Sequence, residues 1–392
     1  IKSSAASDVY KRQFHIRILK GLLGIIWSID WPLMVIVLIL SAWGFVALYS
    51  AGYSFPWRID GQIRNLAAAG AAMMLFATMP LKWTRNLAVP AYIVGLVLLV
   101  ATLLFGVNTK GATRWLDIGV IRIQPSEIMK LATPLLIAWY FQIRLTAQEG
   151  VLKWWDYLVA FVMLALPVAL ILKQPDLGTS ILVLASGFAV IFFAGLSWKF
   201  LLLLISGVLV ALPIVWNSLY DYQRQRVLTL LDPSSDPLGA GFHTLQAIIA
   251  IGSGGMTGKG WMNGTQAHLD FIPERTSDFL FAVFSEEFGF FGDICLLGLY
   301  TLLIMRALYI ASVANTVFER LLACAIATIF LIYSFVNMGM VSGILPVVGV
   351  PLPFMSYGGT ALLILGICCG LLMKISAQRR IKVSLYGDDY RS

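Results

Sequence analysis

From Leu321 to Met373 the chain carries no Asp, Glu, Lys, Arg or His. A stretch this long has no polar face to turn toward water, so it must lie within a protein interior or a bilayer. It is long enough for two helical crossings at about 20 residues each. Pro346, Pro351 and Pro353 interrupt it midway, where a helix would have to stop. Asn86–Thr109, Leu177–Trp198 and Phe200–Tyr220 are also uncharged, and each exceeds the roughly 18 residues that suggest a span. Only 12% of the 392 residues are charged and the mean hydropathy is +0.85. Soluble domains carry roughly 25% charged residues. The expected fold class is therefore an all-α polytopic membrane protein.

Hydropathy predicts ten spans, near 31–51, 65–81, 87–107, 125–143, 157–173, 177–196, 199–220, 278–305, 321–345 and 354–373. An excess of Lys and Arg on one side, carried partly by the basic KISAQRR at 374–380, assigns both termini to the cytoplasm. Residues 1–30 then form a cytoplasmic tail, whose opening IKSSAASDVYKRQ is aperiodic and is expected to include non-native residues. Residues 31–378 form one membrane domain, and 379–392 a second cytoplasmic tail. The first apolar run spans and stays, rather than serving as a cleaved signal. Loops 108–124, 173–176, 221–277 and 346–353 face outward and hold most of the candidate functional residues. The +8 net charge fits orientation and contact with anionic lipid rather than nucleic acid.

The four cysteines fall inside predicted spans as packing residues, and the three histidines share no metal-ligand spacing. GGMTGKGW, at 254–261, lacks the Gly and the Ser or Thr that a phosphate-binding loop requires. The glycine-dense stretch 239–264 also contains Phe242, Ile248, Ile249, Ile251 and Trp261, which favour burial over a loose connector. Glycine-rich backbone at membrane depth is tolerated where it is packed in protein or lines a wet cavity.

The other motifs each admit a plain and a functional reading. In QPSEIMK (124–130), Glu127 and Lys130 share a helix face, either as a dipole-balancing acid with a snorkelling lysine or as a pair facing a cavity. KQPDLGTS (173–180) places Lys173 and Asp176 at a tight turn, with Asp176 suited to cap the next helix. NTKGATRWLDIG (108–119) sets Lys110 and Arg114 beside Trp115, a combination that suits an interface belt or a pyrophosphate headgroup. Arg224 and Arg226 place charge outside, against the usual bias. In PERTSDFLFAVFSEEFG (273–289), Asp278 stands either as a helix cap or as a catalytic or ion-coupling acid. Glu286 and Glu287 lie deeper, and a cation such as Arg306, or a polar side chain, is the partner expected for Glu286.

These motifs, together with DPLGAGFHTLQAIIAIGSGGMTGKGW and SGILPVVGVPLPFMSYGG, resemble in order those of the SEDS family (shape, elongation, division and sporulation) over about 31–378. YDYQRQRV and FFAGLSW are more similar to its elongation member than to its division paralogue. The resemblance implies a peptidoglycan glycosyltransferase of the bacterial inner membrane that polymerises lipid II on undecaprenyl-pyrophosphate-linked glycan. It would act with a class B penicillin-binding protein and the elongation machinery. By motif position, the family's essential acid falls on Asp278 and its cavity-facing pair on Glu127 and Lys130; Trp115 and Asp176 also match. Candidate substrate-binding residues are Arg114, Trp115, Asp176, Lys173, Arg224 and Arg226. A divalent cation, Mg or Mn, is the expected cofactor, with no ligand set identified. Alternative readings are a lipid II flippase, a division-specific paralogue and a non-catalytic scaffold.

Overall fold

The computed structural model describes residues 28–387, except 110–111, 118–121, 149, 219–223, 225–227, 229–239, 270 and 273. Twelve helices are described: α1 Trp31–Ala51, α2 Pro56–Thr78, α3 Leu81–Phe105, α4 Pro125–Ala147, α5 Trp154–Lys173, α6 Leu177–Phe193, α7 Trp198–Ser218, α8 Ala240–Gly254, α9 Thr265–His268, α10 Leu280–Ser312, α11 Val317–Val341 and α12 Gly359–Gly387. All ten expected spans fall on helices. Among the described residues, six helices (α1, α3, α5, α10, α11 and α12) are long and apolar enough to cross a membrane. α2 carries Arg58, Asp60 and Arg64 in its first turns, α4 carries Glu127, Lys130 and Arg144, and α6 has 17 residues.

Local chemistry sets many of the boundaries. Asp30 caps α1, accepting from the Leu33 amide at 3.2 Å, and prolines open α1, α2 and α4, where the missing N–H costs nothing. The second expected span began too late. Pro56 starts α2, and its first turns are polar because protein, not lipid, covers part of them: Arg58 donates to Thr276 Oγ1 and Gln62 to the Ser356 carbonyl at 3.2 Å. The outer connection 108–124, expected as a loop, contains an antiparallel sheet of β1 Val107–Thr109, β2 Ala112–Asp117 and β3 Arg122–Ile123. Val107 pairs with Trp115, and Asp117 with Arg122.

α11 is the hub. It packs against α4, α6 and α10, while α12 packs against α2. In α11 and α12, 72% of the apolar window is buried, against 28–39% in α1, α3, α5 and α10. The charge-free run therefore lies at the centre of the bundle. α1, α3, α5 and α10 turn large apolar side chains such as Leu38, Val97, Val162 and Leu297 outward, as lipid contact requires. The described residues of the connections 51–56, 105–125, 173–177, 254–280 and 341–359 gather at one end, with the sheet.

Candidate active site

At the sheet end, the first turns of α4 put Glu127 and Lys130 on one face. Lys130 Nζ donates to Glu127 Oε1 at 2.5 Å and to the Tyr333 hydroxyl of α11, which in turn donates to Glu127 Oε2 at 3.0 Å. Lys130 is 1% exposed and Glu127 5%, so the lysine does not snorkel to the surface. An isolated buried ammonium would be costly; the carboxylate and hydroxyl make it tolerable.

Four residues further along α11, on the same face, Asn337 reaches the other half of the site. Its amide donates to the Asp278 carbonyl at 2.8 Å and to the Val350 carbonyl at 2.6 Å. Asp278 lies in the turn before α10, half-buried, one residue ahead of Phe279, which occupies the cap position. The segment is braced on both sides. Arg275 donates to the Ala51 carbonyl at 2.7 Å and stacks on Phe55, and the Tyr357 amide donates to the Thr276 carbonyl at 2.9 Å. Gly349, at φ +72°, approaches the carboxylate so closely that a Cβ there would lie 3.2 Å from Asp278 Oδ2.

The 348–350 turn also meets α6, where Gly178 packs its backbone against the Val348 carbonyl. Asp176, the α6 cap, accepts from the Thr179 amide at 3.3 Å, from its hydroxyl at 2.7 Å and from Gln124 at 3.1 Å. Arg114 stands 3.9 Å from Asp176 and donates to the Pro175 carbonyl at 2.8 Å, which fixes β2 and Trp115 to this turn. Glu127, Lys130, Asp176, Arg114 and Asp278 thus belong to one set of interlocked segments. Lys173 is exposed at the end of α5. Arg224 instead donates to the Trp216 and Asn217 carbonyls at 3.0 and 2.8 Å, closing the end of α7. Arg226 and Lys110 lie outside the described residues.

The deep glutamates have a structural task, and the expected Glu286–Arg306 pair does not form. Arg306 grips Asp30 with two bonds, of 2.9 and 2.7 Å. Glu286 takes Lys259 Nζ at 2.6 Å, the Thr265 amide and hydroxyl at 2.9 Å each, and the Gln266 amide at 3.2 Å. Glu287 accepts from Ser50 and from the Met262 amide at 3.2 Å. The cause is a break in α10 at Gly289 (φ 66°, ψ −169°). The Glu286 and Glu287 carbonyls, freed by the break, accept from the Lys259 and Gly260 amides at 3.0 Å. The freed Phe290 and Phe291 amides donate to the Gly255 and Met256 carbonyls at 2.9 and 3.1 Å. Gly258 and Gly289 have no room for side chains at this backbone-on-backbone contact, which is why the 254–260 loop is rich in glycine.

The sequence reading missed Tyr333, Asn337 and Gly349. A tyrosine and an asparagine four residues apart in an otherwise apolar span are an available signal, because each needs a partner there. Among the described residues, no group of three or more His, Cys, Asp or Glu side chains could hold a metal ion.

Residues 23–381 match the FtsW/RodA/SpoVE family of cell cycle proteins. The chain is 46% identical to the peptidoglycan glycosyltransferase MrdB of Escherichia coli K12, over 90% of this chain and 95% of that one. It is 34% identical to the probable peptidoglycan glycosyltransferase FtsW of Pseudoalteromonas translucida, over 90% of each chain. Among solved structures, it matches a chain of a peptidoglycan synthase complex coordinating polymerization and crosslinking, with TM-score 0.77 and 33% identity, over 89% of this chain and 98% of that one. The rod shape determining protein RodA of Thermus thermophilus matches with TM-score 0.67 and 28% identity, over 89% and 97%.

Proposed function

We propose that this chain, which belongs to the FtsW/RodA/SpoVE family of cell cycle proteins, is a peptidoglycan glycosyltransferase that polymerises lipid II during cell-wall elongation, with Asp278 as its general base. The observation that carries this reading is the shared face of α11. Tyr333 holds the Glu127–Lys130 pair there, and Asn337 holds the backbone of Asp278.

In the reaction, a sugar hydroxyl of lipid II attacks the anomeric carbon of a glycan on undecaprenyl pyrophosphate. The new O–C bond forms as the bond to the phosphate oxygen breaks, and the pyrophosphate leaves with the electron pair. Asp278 takes the hydroxyl proton; it is half-buried in the turn that leads into α10, close to the 348–350 turn. A single displacement inverts the anomeric centre. Arg114, with its side chain 26% exposed, is a cation available to the leaving pyrophosphate. Lys130 is enclosed by Glu127 and Tyr333, so its part is to fix α4 beneath the site rather than to touch substrate. A divalent cation at the leaving pyrophosphate would supply further positive charge there, beside the roles given to Asp278 and Arg114.

The sheet end would face outward from the bacterial inner membrane, where lipid II is consumed, with both termini in the cytoplasm. Similarity to a member of a complex that coordinates polymerization with crosslinking supports a crosslinking partner, a class B penicillin-binding protein. The flippase reading is weaker. A carrier with a discontinuous helix uses the freed backbone groups to bind its cargo, whereas the four freed groups of Glu286, Glu287, Phe290 and Phe291 are taken by the 255–260 backbone.

The test is polymerisation of labelled lipid II by the purified protein, alone and with its penicillin-binding partner, comparing wild type with Asp278→Asn. Glycan from wild type and none from a variant with a normal melt supports the assignment. Equal glycan from both would remove Asp278 from the chemistry.

A further inference from the structure

The end of the bundle opposite the sheet has two adjoining cavities. One, of about 270 Å³, lies among Lys82 and Arg85 of α3, Gln142 of α4, Thr316 at the cap of α11, Glu319 of α11 and Gln378 of α12. The other, of about 480 Å³, shares Arg85 and Gln142 and continues past Asn86, Trp139, Ile143 and Ala147. Together they form a slot that is cationic at one end and largely apolar at the other.

The charges in this slot are unbalanced. Glu319, held at the start of α11 by the Asn315 amide at 3.1 Å while its own amide donates to Thr316 Oγ1 at 3.2 Å, offsets only one of the two cations in the slot. Lys82 and Arg85 make no ion pair or side-chain hydrogen bond among the described residues. Two other cations at this end do find acids: Arg144 holds Asp156 at 2.6 Å and Arg306 holds Asp30 at 2.7 Å. Helix energetics do not explain the two free cations either. They sit in the opening turns of α3, which has no acid in its first turn and no capping side chain, so they oppose the helix dipole.

Depth in the membrane identifies the missing anion. Trp83 and Trp154 at the same end are 66% and 63% exposed, and exposed tryptophans mark the headgroup level. Ile143, 44% exposed at the slot wall, offers apolar surface suited to an acyl chain. We propose that this slot binds an anionic phospholipid, with its phosphate on Lys82 and Arg85 and an acyl chain along Trp139, Ile143 and Ala147. A net negative headgroup satisfies both cations, whereas a zwitterionic one brings an ammonium that they repel.

Native mass spectrometry of the full chain after incubation with phosphatidylglycerol or phosphatidylethanolamine vesicles tests this. The expected result is at least tenfold greater retention of phosphatidylglycerol by wild type. Lys82→Gln with Arg85→Gln should lose that preference, and Lys199→Gln, an exposed cation outside the slot, should keep it. Ala147→Trp, which fills the apolar half without changing charge, should also lower retention. Thermal melts of all variants separate lost binding from lost folding. Equal retention of both lipids by wild type overturns the proposal, as does undiminished phosphatidylglycerol retention in both slot variants. Displacement of the lipid by inorganic phosphate would assign the cations to a free anion and overturn it too.

Discussion

Tyr333 and Asn337 stand one helical turn apart on the same face of α11, the first bonded to Lys130 and Glu127 and the second to the Asp278 carbonyl. A four-residue step rises about 6 Å, so a single rigid helix sets the spacing between the buried ion pair and the proposed base. Movement of α11 would displace both together.

Tyr333→Phe removes the hydroxyl that serves both charges and leaves Lys130 and Glu127 with each other. The expected stability loss is about 1–3 kcal/mol, the cost of an unsatisfied buried polar partner. Polymerisation should fall about tenfold, equivalent to about 1.4 kcal/mol of lost positioning, in a variant that a thermal melt shows to be folded at the assay temperature. Full activity would separate the triad from the chemistry.

Gly349→Ala places a methyl 3.2 Å from the Asp278 carboxylate at φ +72°. The backbone cost for an L-residue there is about 1–2 kcal/mol. Gly150→Ala provides the comparison, since Gly150 also has positive φ (+92°) but nothing within 4 Å of its added Cβ. Both variants should lose similar stability in a melt, and only Gly349→Ala should lose lipid II turnover.

Glu286→Leu leaves Lys259, Thr265 and Gln266 without their common acceptor, and about 3–5 kcal/mol of stability should go with it, as when one partner of a buried pair is removed. Lys259→Met should cost less, because the Thr265 and Gln266 donors remain on the carboxylate. Limited proteolysis should show cleavage at 255–266 in the first variant before the second. Exchanging the charges of Glu286 and Arg306 should restore nothing, since each has a different partner.

Asp30 carries a pH dependence. Burial raises its carboxyl pKa, but the hydrogen bonds from Arg306 and Ser376 outweigh that and hold it below the ordinary 3.8. A folded-state pKa below the unfolded one means the contribution is complete above pH 3.8 and is lost as the pH falls through the folded value. Asp30→Asn should melt lower than wild type at pH 7. The gap between them should close as the pH drops below 3.8. A gap that stays constant down to acid pH would contradict the assignment.

Much of the architecture was legible along the chain. All ten spans expected from hydropathy fall on helices, and the Asp176 cap and Pro125 lie where helices begin. The late start predicted for α2 shows the limit of the method. Hydropathy scores Arg58 and Gln62 as unfit for a span, but Thr276 and Ser356 satisfy them from distant segments.

The sequence by itself determined which segments leave water, because the cost of placing charge in hydrocarbon accrues residue by residue and needs no knowledge of neighbours. Only the tertiary structure decided which charge meets which. Arg306 finds Asp30, 276 residues away, rather than Glu286, and Lys259 reaches Glu286 because α10 breaks at Gly289 against a glycine loop. Partners across helices depend on the depth and rotation of each helix, which the packing of the whole bundle sets, and no local periodicity encodes them.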